Sequence, residues 1–122
     1  MKLARIGNPG KEKPIIVDKD NNYRDVSSVI KDLNSENLNF ETLEKLNNIK
    51  LKDLPILEKN QRIGACVNKP SKFIGIGLNF KDHAIEQNMP IPKEPIIFSK
   101  FTNSVSGPND DIVIPKNSNH TD

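Results

Sequence analysis

Three short runs of β-prone residues lie near the start of the chain. The segments are KLARI at residues 2–6, KPIIVD at residues 13–18 and NYRDVS at residues 22–27. The linkers between them, GNPGKE and KDNN, are rich in residues that favour tight turns. Short β-prone runs joined by such turns are typical of antiparallel strands, so this region is predicted to form a small β-meander.

The spacing of the apolar residues changes after the third segment. They recur every three or four positions over two neighbouring stretches, Val26, Val29, Ile30 and Leu33 in the first and Phe40, Leu43, Leu46 and Ile49 in the second. This period places the side chains on one face of a helix, so both stretches are predicted to be helical. Asn39 is the predicted N-cap of the second helix, and Glu41 lies in its first turn.

Apolar residues become nearly continuous in KFIGIGLNF, residues 72–80. A run of this kind suits a strand that is buried on both faces. Two further strands are predicted, EPIIFSKF at residues 94–101 and DIVIP at residues 111–115. Turn-forming residues 102–110 connect them.

Pro55 and Pro70 interrupt the pattern between the two halves, so a domain boundary is expected within residues 58–70. We divide the chain into a small N-terminal domain at residues 1–65 and the start of a second domain at residues 66–122. Short strands and helices together predict an α+β fold. The second domain has too few strands to complete a sheet, which indicates a truncated chain.

The composition narrows the functional class. The net charge is +2 and the lysines are dispersed among acidic residues, so nucleic acid is not an expected partner. No apolar run approaches the roughly 20 residues of a membrane helix, and none near the N-terminus suits a secretory signal. We therefore expect a cytoplasmic protein with no membrane contact. Cys66 is the only cysteine, and it is predicted to be a small buried side chain in the strand IGACV.

Gly75 and Gly77 match the beginning of the dinucleotide-binding motif G-x-G-x-x-G. Glycines in that motif let backbone N–H groups approach a pyrophosphate. Phe80 occupies the third glycine position, where its ring would prevent close packing of helix on strand. Pro90 and Pro92 also end the following helix early. These departures argue against a phosphate site.

His83 and Glu86 lie three positions apart directly after this run. With Asn79 as its predicted N-cap and Asp82 in its first turn, a short helix would place both on one face. A carboxylate beside an imidazole fixes its tautomer and raises its basicity, as a general base requires. The same spacing occurs in surface pairs worth about 0.2–0.5 kcal/mol, so the spacing alone leaves both interpretations open.

The final part of the chain, IGLNFKDHAIEQNMPIPKEPIIFSKFTNSVSGPNDDIVIPKNSNHTD, resembles the opening of the catalytic domain in the fumarylacetoacetate hydrolase family. Members of that family carry a G-x-N-[YF]-x-x-H-x-x-E segment followed by P-x-x-P and F-x-K elements. The preceding part, from KLARIG through RDVSSVI to LPILEKNQRIGACV, resembles the small N-terminal domain of many bacterial members. The resemblance implies a mostly-β catalytic domain of which this chain holds the opening strands.

The same resemblance implies roles for individual residues. His83 and Glu86 match the family's catalytic dyad, which is carried on a short mobile helix that folds over the substrate. The segment NMPIPKEP would form the hinge of that helix. Lys100 matches a lysine near the substrate pocket and is the expected substrate-binding residue. Phe80 stands where many members have a tyrosine, so it lacks that hydroxyl.

The family binds a divalent ion, usually Mg²⁺ or Mn²⁺, through a Glu-x-Glu pair and a later aspartate. By resemblance, Asp122 matches the aspartate immediately before a tryptophan and the Glu-x-Glu pair, so the metal ligands are expected beyond Asp122. Oxygen ligands suit an ion that chelates a 2-oxo-carboxylate and polarises its carbonyl. The resemblance also implies a homodimer for the full-length protein.

Two functions of different classes follow. In the first, the chain is the N-terminal portion of a metal-dependent hydrolase or lyase and is inactive alone. Its substrate would be a 2,4-dioxo acid or related 2-oxo acid, such as an acylpyruvate, a dioxo-deoxy sugar acid or a ureidoglycolate-like compound. In the second, it is a non-catalytic binding module complete at 122 residues. A reading frame that continues past Asp122 with Trp and Glu-x-Glu favours the enzyme, and a stop codon favours the module.

Overall fold

The computed structural model describes residues 1–118, which form two compact units. Met1–Asn68 with residues 106–118 make the first unit, and Lys69–Val105 make the second. The strands are β1 (Lys2–Ile6), β2 (Lys13–Val17), β3 (Tyr23–Asp25), β4 (Ile56–Leu57), β5 (Phe73–Gly77) and β6 (Ile96–Lys100). The helices are α1 (Phe40–Asn48) and α2 (Lys81–Glu86), with 3₁₀ turns at Leu51–Asp53 and Thr102–Ser104. The α+β class is confirmed, while the division between residues 65 and 66 stays a prediction.

The predicted meander forms the sheet of the first unit. Its strands pair in the order β1-β2-β3-β4, each antiparallel to the next. The register places Ile15 opposite Ala4 and Ile16 opposite Arg24. Successive side chains of a strand point to opposite faces. Since Ile15 and Ile16 are both buried, β2 is covered on both sides.

The hydrophobic core of this unit packs around β2. Its buried members are Ile16, Val26, Ile30, Leu33 and Leu46. Full burial of a large aliphatic side chain contributes about 1.5–3 kcal/mol. Three of the five come from residues 26–33, so the apolar spacing of that stretch identified core positions.

The helix predicted over residues 26–33 is wrong. The stretch makes a single turn, in which the N–H of Ile30 donates to the carbonyl of Val26 at 3.0 Å. A side chain competes with helical bonds at its beginning, because Asp25 Oδ1 accepts from the N–H of Ser27 at 2.8 Å. Bonds of this kind favour turns over helix interiors. The apolar side chains therefore reach the core from an irregular backbone.

The second predicted helix is confirmed as α1. Asn39 is its N-cap, and the side-chain oxygen accepts from the N–H of Thr42 at 2.9 Å. Leu46 is buried against the core. Phe40 is 93% exposed, so the first position of the predicted apolar face does not reach the core.

A chain of ion pairs crosses the first unit. The buried Arg5 contacts Asp32 at 2.5 Å and Glu12 at 3.3 Å. Arg62 contacts Glu12 at 2.9 Å and Asp110 at 2.5 Å. Burial alone would raise the pKa of Glu12, but hydrogen bonds from its own backbone N–H and from Arg62, with the charge of Arg5, hold that pKa below its ordinary value. The pairs tie β1 to residue 110.

The second unit contains two of the predicted strands, β5 and β6, which pair in antiparallel fashion. Burial of β5 on both faces is wrong, because Ile74 is 54% exposed and Ile76 is 43% exposed. A sheet of two strands gives each strand only one neighbour. In the described residues no helix of this unit contributes a buried side chain larger than Ala84.

Two further predictions are wrong. Residues 111–115 form no strand, and Ile112 and Val113 are both 86% exposed. Cys66 is exposed and lies in a bend, since the predicted strand around it reduces to one bridge between Ile63 and Ile6. A β-prone sequence forms a strand only where a partner completes its hydrogen bonds. Within residues 1–118, no helix is long and apolar enough to cross a membrane.

Candidate functional site

The segment that carries the candidate dyad begins where β5 ends. Leu78 has a φ of 48°, in the left-handed region that bulky residues rarely adopt. Phe80 is the N-cap of α2, and no side chain bonds to the helix end. The predicted N-cap, Asn79, is therefore wrong, because the helix begins one residue later than expected. Strained backbone of the kind seen at Leu78 is concentrated at functional sites.

Helix α2 is ended by its own backbone, before either proline. Asn88 has a φ of 53°. Its N–H donates to the carbonyl of Ile85 at 3.0 Å, and the N–H of Met89 donates to that of Ala84 at 2.9 Å. This is the Schellman arrangement, which asparagine tolerates because it enters the left-handed region at modest cost. Pro90 and Pro92 follow Asn88, the residue at which the helix has already ended.

The structure brings His83 and Glu86 together on α2. Nδ1 of His83 lies 3.4 Å from Oε2 of Glu86, and the two side chains are 54% and 73% exposed. A contact of this length is a weak hydrogen bond. Nε2 of His83 has no partner within residues 1–118, so it is free to meet a ligand or a water molecule. The general-base and surface-pair interpretations both predict this contact.

Gly75 and Gly77 lie inside β5, where they pair with β6. Gly75 faces Phe98, and a Cβ at position 75 would overlap the phenyl ring. A Cβ at Gly77 would lie 3.3 Å from Cγ2 of Ile96. The two glycines therefore make room for cross-strand side chains and form no phosphate-binding turn.

Lys100 is placed on β6 directly opposite Phe73. Its ammonium nitrogen lies 5.8 Å from the centre of the Phe73 ring and 5.9 Å from the centre of the Phe98 ring. No hydrogen bond or ion pair joins Lys100 to His83 or Glu86. Sequence reasoning found the lysine but missed the two phenylalanines. The F-x-K spacing marks Phe98, whereas Phe73 becomes apparent only from the register.

A shallow cavity of about 330 Å³ lies beside the start of α2. Its lining includes Ile76, Lys81 and residues 91–95, so it lies between the end of β5 and the proline-rich segment. None of the three predicted site residues lines it.

Metal-ligand candidates are sparse in the described part of the chain. Within residues 1–118, no three His, Cys, Asp or Glu side chains come together as a group that could hold an ion. Asp122, which the resemblance places next to the metal ligands, lies outside the described residues.

Comparisons with known proteins agree with the resemblance. Residues 72–122 match the family model described as "Fumarylacetoacetate (FAA) hydrolase C-terminal". Proteins from Burkholderia multivorans and Burkholderia cenocepacia, each named "Putative hydrolase", are 51% and 52% identical to this chain over all 122 of its residues. The chain spans 43% of the length of each of these relatives. The resemblance read from the sequence is thus supported by the family model over residues 72–122 of this chain.

Proposed function

We propose that this chain is the N-terminal portion of a divalent-metal-dependent hydrolase or lyase that acts on 2,4-dioxo acids or related 2-oxo acids. The observation that carries the proposal is the exposed contact between His83 and Glu86, which lies inside the residues that match the family model. The names of the relatives and the fraction of their length that this chain spans support it.

In the proposed reaction, His83 takes a proton from the water molecule that attacks the substrate. Glu86 contacts Nδ1 of the ring, so Nε2 is the nitrogen that receives the proton. The carboxylate of Glu86 then stabilises the imidazolium. Positioned proton transfer of this kind typically accelerates a reaction by about 10²- to 10⁴-fold.

Lys100 is the proposed binding group for a substrate carboxylate. It is exposed, and within residues 1–118 it has no carboxylate partner to compete with a ligand. A bound Mg²⁺ or Mn²⁺ would hold the 2-oxo-carboxylate and polarise its carbonyl. From the resemblance, we propose that the ligands of that ion lie beyond Asp122. From the resemblance, we also propose a homodimer. Because the charge is near balance and the lysines are dispersed, we propose that it binds no nucleic acid, and we propose a cytoplasmic location.

The coding sequence provides the first test. A reading frame that continues past Asp122 with Trp and then Glu-x-Glu is the expected result. A stop codon directly after Asp122 would contradict the proposal and favour a non-catalytic module.

Turnover provides the second test. A chimera would place this chain before the unmatched remainder of the Burkholderia multivorans relative, and it would be assayed with an acylpyruvate and Mg²⁺. We expect turnover in the chimera and none in the 122-residue chain alone. Equal turnover in the chimera and in its His83→Ala variant would exclude the proposed base.

A further inference from the structure

The face of the β5–β6 pair that carries Lys100 also carries two phenyl rings. The register sets Phe73 opposite Lys100 and Gly75 opposite Phe98. Directly opposed residues of antiparallel strands project from the same face, and so do residues two apart on one strand. All four positions therefore lie on one side of the sheet.

The rings of Phe73 and Phe98 attract the Lys100 ammonium group through cation–π interactions. Its nitrogen lies 5.8 Å and 5.9 Å from the two ring centres, within the distance of about 6 Å at which a cation is attracted to an aromatic face. The rings restrict where the nitrogen lies, but they accept no conventional hydrogen bond. Since Lys100 has no carboxylate partner within residues 1–118, its N–H donors remain available to an anion.

Gly75 makes this arrangement sterically possible. The Phe98 ring lies across the backbone of β5 at this position, where any Cβ would overlap it. Only a residue without a side chain lets the ring lie that close to the strand. Gly75 thereby determines where the Phe98 ring lies, and the Phe98 ring limits where the Lys100 ammonium group lies.

We propose that Phe73, Gly75 and Phe98 form an aromatic seat that positions the Lys100 ammonium to bind a carboxylate group of the ligand. The identity of the ligand as a 2-oxo acid rests on the proposed function. The aromatic seat itself rests on the structure alone. Phe73 and Phe98 are positioning residues, because they act through Lys100. An ammonium held in place before the ligand arrives loses less conformational freedom on binding than a free lysine does.

The seat is tested by NMR on the 122-residue chain. The ε-methylene signals of Lys100 should be shifted upfield by ring currents, relative to the other lysines. Phe73→Leu and Phe98→Leu should each reduce the shift, and Phe98→Tyr, which keeps the ring, should retain it. Phe101→Leu is the matched control, because this ring is 85% exposed and lies outside β6. A Lys100 signal at the position of an ordinary exposed lysine in the unaltered chain would overturn the seat.

Gly75→Ala gives an independent variant that keeps both rings. The added Cβ should displace the Phe98 ring and move the Lys100 signals, while the amide signals of β1 and β2 stay unchanged. Lys100 signals that do not respond to Gly75→Ala would show that the ring does not set the position of the lysine.

The role in binding is tested separately from the seat. In the chimera, Phe98→Leu should raise KM by about two- to fivefold, which is the usual worth of an exposed cation–aromatic contact, and leave kcat nearly unchanged. Phe98→Tyr should restore KM. If the chimera has no turnover, the proposed function fails. The comparison then uses pyruvate binding to the 122-residue chain in place of KM, measured as the pyruvate concentration that produces half of the full shift in the Lys100 signals. Equal values for the unaltered and Phe98→Leu proteins would exclude a positioning role.

Discussion

The first unit buries many of its large apolar residues, whereas the second unit leaves most of its own exposed. In the first unit Leu33 and Leu46 are 1% and 2% exposed, because a sheet, a helix and an irregular segment close around them. In the second unit Ile97 is 68% exposed and Phe98 is 43% exposed. A two-stranded sheet is marginally stable by itself in water, since it buries little apolar area. Both units form paired strands, but only the first unit has the layers that make a core.

The charged residues also differ in exposure between the two units. The ion pairs that Arg5, Arg24 and Arg62 make in the first unit are largely shielded from water, and Arg5 is 4% exposed. In the second unit His83, Glu86 and Lys100 are all exposed. Residues that meet a ligand belong to weakly held elements, because such elements open at little free-energy cost. The candidate chemistry therefore lies in the unit that buries less of its apolar surface.

The largest expected effect concerns activity in the second unit. In the chimera, His83→Ala should lower kcat by about 10²- to 10⁴-fold, because the proton acceptor is lost. Glu86→Gln should also lower kcat, since an amide orients the ring but does not stabilise an imidazolium. Gln87→Ala, at the C-cap of the same helix, is the control. Near-normal kcat in His83→Ala would assign the contact to an ordinary surface pair.

Paired truncations of apolar residues compare the stability of the two units. Leu46→Ala should lower the free energy of unfolding of the chain by about 2–5 kcal/mol, since it leaves a cavity in the core. Ile97→Ala should change it by about 0.5 kcal/mol or less, because the side chain is already exposed. Urea denaturation followed by circular dichroism measures both. Similar losses for the two variants would mean that Ile97 is covered in solution.

The left-handed residue that ends α2 provides a finer test. Asn88→Ala should speed amide exchange at Met89 by about fivefold, because a Cβ without a polar group disfavours this backbone by about 1 kcal/mol. Asn88→Gly should leave exchange unchanged or slower, since glycine adopts positive φ freely. Hydrogen exchange measured by NMR on the two variants decides the matter. Equal exchange in both would exclude the Schellman end.

The smallest effect concerns acid stability of the first unit. The N–H of Asn22 donates to Asp18 at 2.7 Å, and this bond, with the ion pair to Arg24, lowers the pKa of Asp18 to about 2 from 3.8. A carboxylate with a lowered pKa stabilises the folded state above its unfolded pKa, and the contribution disappears as pH falls from about 4 towards 2. Unfolding free energy measured across that range should fall less steeply in Asp18→Asn. Asp53→Asn, at an exposed aspartate, should follow the unaltered chain.

Features set by neighbouring residues could be predicted from the sequence. The strands of the meander, the N-cap of α1 at Asn39 and the proximity of His83 to Glu86 all depend on positions a few residues apart. The stretch at residues 26–33 shows the limit of this approach. Its period identified buried positions correctly, but the hydrogen bond from Ser27 to Asp25 favours a turn that the period does not reveal.

The sequence by itself determined the α+β class, most strands and both helices, because turn residues and apolar periods act locally. It also determined the family resemblance and the spacing of the candidate dyad. Only the tertiary structure decided which distant groups meet. Arg62 pairs with Asp110 across 48 positions, and Lys100 reaches the Phe73 ring through the register of two strands. A shift of one residue in that register would place Lys100 and Phe73 on opposite faces of the sheet, so their contact exists only once β5 and β6 have paired in this register.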